Sequence, residues 1–177
     1  MARNTIIRAL HDAGLAAWFG GTLANAVALN AAAGAPRSDH DKGQVANVGW
    51  DRWTPVNAAA IGAHVIGASG FLLANRGRVA AQQGVGAMTI AKTVLTGAAL
   101  GVTGYSRLLG RTISARKDVP VASATQPVEA TPPDVAAAQN QLRILQWAVP
   151  ALTGAMIMLS ALAGEQERPS EVRRGLR

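Results

Sequence analysis

No cysteine occurs in the chain. That absence excludes disulfides, thiolate metal sites and cysteine nucleophiles together. Charge is scarce as well: 15% of the 177 residues are Asp, Glu, Lys or Arg, against 49% apolar, a low share for a soluble domain. The shortage is uneven. Residues 13–36, 53–75, 93–106 and 144–164 hold no charged side chain at all. None of these stretches therefore offers the intramembrane carboxylate that proton-coupled transport commonly uses. A Walker loop, a G-x-S-x-G elbow and an H-E-x-x-H pair are also missing, so no motif implies a catalytic residue, a cofactor or a resident metal.

What is present fits a bilayer. Crossing about 30 Å of hydrocarbon takes about 20 helical residues. The uncharged stretches have that length, the third once it is extended back through Lys92 to Val79. A soluble Ala-rich bundle would carry a charged stripe at period 3.6, and these stretches carry none. The modest mean hydropathy of +0.16 reflects Ala and Gly in the spans plus polar loops. The expected fold is an all-α membrane protein of four transmembrane helices in an up-down bundle. One domain covers residues 1–177, with helices at about 6–33, 55–74, 80–108 and 135–164, a flexible Pro/Ala/Ser/Thr-rich loop at 109–133 and a polar tail at 165–177.

The net charge of +7 and pI near 11.3 raise the question of nucleic acid. The arginines, however, are dispersed around helix ends and form no patch interleaved with aromatics, which suits lipid headgroups and excludes a nucleic-acid partner. Arginine outnumbers lysine 14 to 3, and with the Ala and Gly content this points to a GC-rich bacterial genome. Arg3 and Arg8 precede an apolar run of 21 residues that contains Asn25 and Asn30. That is longer than the roughly 7 to 15 residues of a secretory signal, so an uncleaved first helix is expected. Lys and Arg number eight on the side of the termini and eight on the other, with Lys92 left over. If Lys92 snorkels to the terminal side, the balance tips toward cytoplasmic termini in a bacterial plasma membrane.

Within the first helix, Ala16, Gly20, Ala24 and Ala28 form a row of small side chains suited to close helix packing, and Gly97 and Gly101 form a GxxxG. Substituting Gly20 with Ile is therefore expected to disrupt packing. Trp50, Trp53, Tyr105 and Trp147 fall on the face opposite the termini and are expected to anchor at headgroup level. Thr54 and Pro55 read as an N-cap and first helical residue, and Pro150 as a kink.

His64 lies near the centre of the second span, and by helical rise it should share a depth with Thr22, Asn25 and Thr96. An ionisable residue inside a bilayer turns inward to find partners. These residues and Lys92 form the candidate intramembrane polar cluster, whose blander reading is a neutral histidine in an interhelical hydrogen bond. His11 sits about 18 Å from mid-helix at about 1.5 Å per residue, so pairing with His64 across a porphyrin is not expected. His11-Asp12 reads as an interfacial turn whose side chains point apart, and Asp39-His40-Asp41 as a solvated loop without metal-ligand spacing.

The combination of RNTIIRALHD, GWDRWTPVN with IGAH, KTVLTGAALGVTGYSR and WAVPALTGA resembles a family of small, uncharacterised actinobacterial integral membrane proteins. The resemblance covers most of the chain outside the loop at 112–135. It implies four helices in a bacterial plasma membrane and no assigned activity, so no residue role is carried over. In its broad plan the chain is also similar to four-helix DoxX-type and anthrone-oxygenase-type membrane proteins. The leading expectation is a structural or accessory membrane component that meets the lipid bilayer and a homo-oligomeric or membrane-complex partner through helix packing. The runner-up is a redox or quinone-linked subunit centred on His64, and the third is a small-solute carrier.

Overall fold

The computed structural model describes residues 4–116 and 118–175; Arg3, Lys117 and Arg177, which entered the charge count, lie outside the described residues. Of the described residues 82% are helical, and the class is all-α. Helix α1 (Thr5–Ala24) runs through a π-helical turn at Asn25–Leu29 into a last turn, α2 (Asn30–Ala32). Then come α3 (Asp39–Ala74), the short α4 (Arg76–Ala81), α5 (Val85–Ser114), strands β1 (Val121–Ser123) and β2 (Gln126–Pro127), α6 (Pro133–Glu165) and α7 (Pro169–Gly175). Four helices, Thr5–Ala32, Asp39–Ala74, Val85–Ser114 and Pro133–Glu165, are long and apolar enough to cross a membrane.

Three boundaries differ from expectation. Helix α3 starts at Asp39, so Thr54 and Pro55 lie inside it. Its cap is Ser38, extended at ψ 128°, whose hydroxyl accepts from the Asp41 amide, with Asp39 and Asp41 in the first turn, where the helix dipole favours negative charge. Thr54 donates to the Trp50 carbonyl at 2.7 Å, the usual back-bond of a helical threonine. The third span breaks at Gly84, whose φ of +83° suits a residue without Cβ; α5 begins only after it. The segment 109–133, expected to be flexible, carries the end of α5 and the β1–β2 hairpin instead.

The apolar surface faces outward. Ile66, Leu73, Ile90 and Met158 are 64%, 69%, 66% and 71% exposed, a distribution that lipid tolerates and water does not. A small core of Leu15, Trp18, Ala60, Ala99, Val149 and Met156 takes residues from all four long helices. Packing runs α3 to α1, α1 to α6 and α6 to α5, while α3 and α5 share no substantial contact among the described residues. Each packed pair is antiparallel: Gly14 lies against His64 and Gly67 against His11, Phe19 against Gly154 and Asn30 against Gln146, Thr96 against Met156 and Tyr105 against Gln141.

The row Ala16, Gly20, Ala24, Ala28 is exposed, and a Cβ on Gly20 would meet nothing within 4 Å. Gly97 and Gly101 are equally open. The three glycines thus meet no described residue and the three alanines are exposed, so Gly20→Ile does not disturb packing inside the bundle, contrary to expectation. The face of α1 that turns inward carries Gly14, Leu15, Trp18 and Thr22, with Gly21 against the Trp53 ring.

At the end opposite the termini, the hairpin closes over α3 and α6. Gln139, 1% exposed, donates to the carbonyls of Ser123 and Ala124 at 3.1 and 3.4 Å, and Ala33, Ala46 and Ala124 form a second small core. At the terminal end, Glu167 accepts from Arg8 and, at 3.2 Å, from Arg78, whose guanidinium also reaches the Gln166 carbonyl. Because these side chains are partly exposed, Glu167→Gln is expected to cost no more than about 1 kcal/mol, read as the unfolding midpoint in mixed micelles. A larger loss would show that this tie is more shielded than its exposure implies.

Candidate functional site

Two glycines bring two histidines together. A Cβ on Gly14 would lie 2.5 Å from the His64 amide nitrogen and 2.6 Å from the Ala60 carbonyl oxygen. One on Gly67 would lie 2.7 Å from both His11 Cα and the Ile7 carbonyl oxygen. Each histidine backbone thus sits in the notch left by a glycine of the other helix, and the rings meet with centroids 4.7 Å apart, tilted by 46°. Trp18 closes one side, 6.1 Å from the His64 ring.

This register overturns two expectations. His64 is level with Gly14, so Thr22 and Asn25 lie about 12 to 16 Å further along α1 at about 1.5 Å per residue. His11, expected at the interface, is buried and is the missing partner. The rings are in contact, however, with no slot for a porphyrin between them. Nor do His11 and Asp12 point apart: His11 Nδ1 is 2.7 Å from Asp12 Oδ1.

Hydrogen-bond partners fix the tautomers. His64 Nδ1 faces the His11 carbonyl oxygen at 3.3 Å, and His11 Nδ1 faces a carboxylate oxygen. Both neighbours only accept, so each Nδ1 carries the proton and donates. In a singly protonated ring, Nε2 is then a lone-pair acceptor. That of His64 is buried and has no partner among the described residues.

His11, His64, Lys92 and Thr96 line one cavity of about 390 Å³ on the open seam between α3 and α5, with Arg78 and Glu167 toward the terminal end. Lys92 is half-buried on this wall and also borders a neighbouring cavity shared with Arg8, Asp12 and Glu167 toward the terminal end. Thr96 donates to the Lys92 carbonyl at 2.8 Å and approaches Met156 Sδ at 3.1 Å. The cavity therefore offers a buried acceptor, a cationic donor and apolar walls. Of the expected cluster, His64, Lys92 and Thr96 come together. Thr22 bonds back to the Trp18 carbonyl at 2.7 Å, and Asn25 is buried away from them, its amide nitrogen without a partner among the described residues.

The four aromatics do lie at one end of the bundle, but two of them turn inward. Trp50 Nε1 donates to Asn30 Oδ1 at 3.0 Å, and Asn30 donates to Gln146 at 2.8 Å. The Trp53 ring fills the place a Gly21 side chain would take. Tyr105 and Trp147 remain about half exposed. Asp39 pairs with Lys42 at 2.7 Å, and His40 faces Asp118, so both are engaged locally. No family model, curated protein or solved structure matches the chain.

Proposed function

We propose that this multi-pass protein threads a bacterial plasma membrane up and down, with cytoplasmic termini. We propose further that it binds a lipophilic molecule with a phenol- or quinol-type head in the His64 cavity, as a redox or quinone-linked membrane subunit. The observation that carries this reading is the buried, unpartnered Nε2 of His64 on a wall shared with Lys92. An acceptor and a cationic donor suit a head that has both a hydroxyl to give and an oxygen to receive, and the membrane supplies such a molecule to a cavity open on its lipid side.

Trp18 beside His64 serves as the reporter. Titrating the detergent-purified protein with decylubiquinol is expected to give saturable fluorescence quenching, weakened about tenfold or more in His64→Leu and Lys92→Met, the effect of stranding one buried polar group. A preparation free of extractable quinone that shows only non-saturating quenching would end this reading.

A second reading, an accessory component acting through helix packing, is favoured by the open row Ala16, Gly20, Ala24, Ala28 and by Gly97 and Gly101, which leave room for another helix to approach closely. On that reading Gly20→Ile leaves the unfolding midpoint of the monomer unchanged but lowers the oligomer size in detergent. An oligomer of unaltered size, or a monomer throughout, would count against it.

A further inference from the structure

A second cavity, of about 260 Å³, lies on the same α3–α5 seam toward the hairpin end. The core at Ala60 and Ala99 separates it from the His64 cavity. Its walls are mostly apolar, with Ile61, Leu142, Leu145 and Val149 among them, yet four lining residues carry buried polar atoms without a partner among the described residues: Trp53 Nε1, Asn57 Oδ1, Thr103 Oγ1 and Ser106 Oγ. Stranding such atoms is costly.

The hydroxyls are conspicuous because their neighbours on α5 behave otherwise. Thr89, Thr93 and Thr96 each donate to the carbonyl four residues earlier, at 2.9, 2.9 and 2.8 Å, the usual resolution for a helical threonine. Thr103 and Ser106 do not.

The four atoms define a complementary chemistry. Trp53 Nε1 can only donate and Asn57 Oδ1 can only accept, while the two hydroxyls do either. A hydroxyl both donates and accepts, so it can serve any of them, and a head with two hydroxyls can serve all four; a carbonyl or ether leaves Asn57 unserved. The charges on the cavity wall are Asp51 and Arg107, 3.8 Å apart, and they offset one another, so nothing there selects an anionic phosphate. The apolar walls and the neighbouring exposed Tyr105 and Trp147 put the site where headgroup meets acyl chain.

We propose that this cavity binds an uncharged lipid whose head carries hydroxyl groups, of the monoacylglycerol class, with the head among Trp53, Asn57, Thr103 and Ser106 and the chain leaving along the α3–α5 seam. The site is independent of the one at His64.

The test uses the full chain in phosphatidylcholine vesicles with a diazirine-bearing monoacylglycerol, its cross-links mapped by mass spectrometry. Labelling is expected to concentrate on the peptides around 53–61 and 103–107. Excess monooleoylglycerol should compete for it, whereas methyl oleate, which has the chain without hydroxyls, and free glycerol, which has the hydroxyls without the chain, should not. Thr103→Val with Ser106→Ala should lower the competable labelling about fivefold or more at an unchanged unfolding midpoint, and His64→Leu should leave it intact. The proposal is overturned if label spreads evenly over the lipid-facing helices, if methyl oleate or glycerol competes as well as monooleoylglycerol, or if the hydroxyl variants label as the parent does. Because the competition series uses the unaltered chain, it decides the matter even if a variant fails to fold.

Discussion

Gly67→Val is expected to lower the stability of the bundle by about 3 kcal/mol, the upper end for forcing atoms into a packed interior. The added Cβ would lie 2.7 Å from His11 Cα and the Ile7 carbonyl oxygen, where ordinary contact needs more than 3 Å. What it meets is backbone, which has no alternative rotamer, so α1 and α3 must separate. The opposing gain in helix propensity on replacing glycine is at most about 1 kcal/mol, and the overlap therefore wins. Gly62→Val on the same helix is the control, since a Cβ there meets nothing within 4 Å. Gly14→Val should behave like Gly67→Val. The double variant should lose less than the sum, because one separation of α1 from α3 relieves both clashes. Unfolding midpoints in mixed micelles read all four; equal midpoints for Gly67→Val and Gly62→Val would mean that the two helices do not touch in this register.

Gln139→Leu is expected to loosen the hairpin without unfolding the spans. Its side-chain amide nitrogen serves the carbonyls of both Ser123 and Ala124, and leucine would leave them facing an apolar side chain. An abandoned buried acceptor costs about 1 to 3 kcal/mol. At about 1.4 kcal/mol per decade, the open population of the hairpin rises about five- to a hundredfold. The Arg116–Asp134 pair, at 2.9 Å, is half exposed and too weak to hold the segment alone. Tryptic cleavage after Arg116 should accelerate by that factor while the midpoint for the helical spans moves little. Cleavage at the parental rate would show that the hairpin is held by its apolar contacts instead.

Particular residues show how much could be read in advance. The four spans follow from where charge is missing, and the aromatic end of the bundle follows from their alternating direction. The start of α3 was written in Ser38, Asp39 and Asp41, a cap with acids in the first turn, but Thr54-Pro55 offers the same signal and a polar loop was the plainer reading. The hairpin left almost no trace: a two-stranded ribbon this short is not stable by itself, and it exists because Gln139, Ala33 just past α2 and Ala46 of α3 receive it. Helical rise separates His11 from His64 only if both spans are centred alike, and the contact between Gly14 and His64 shows that they are not.

What the sequence alone determined is the solvent of each segment, because transfer into lipid is a sum over the side chains of one stretch and needs no knowledge of its neighbours. What only the tertiary structure decided is which residues meet: His11 with His64 instead of Thr22 and Asn25, Gly14 and Gly67 as the packing glycines instead of Gly20, Gly97 and Gly101. Register is a property of two helices at once. Here it is set by where two missing side chains let backbones touch, and a row of small residues reads the same whether it faces a partner helix or lipid.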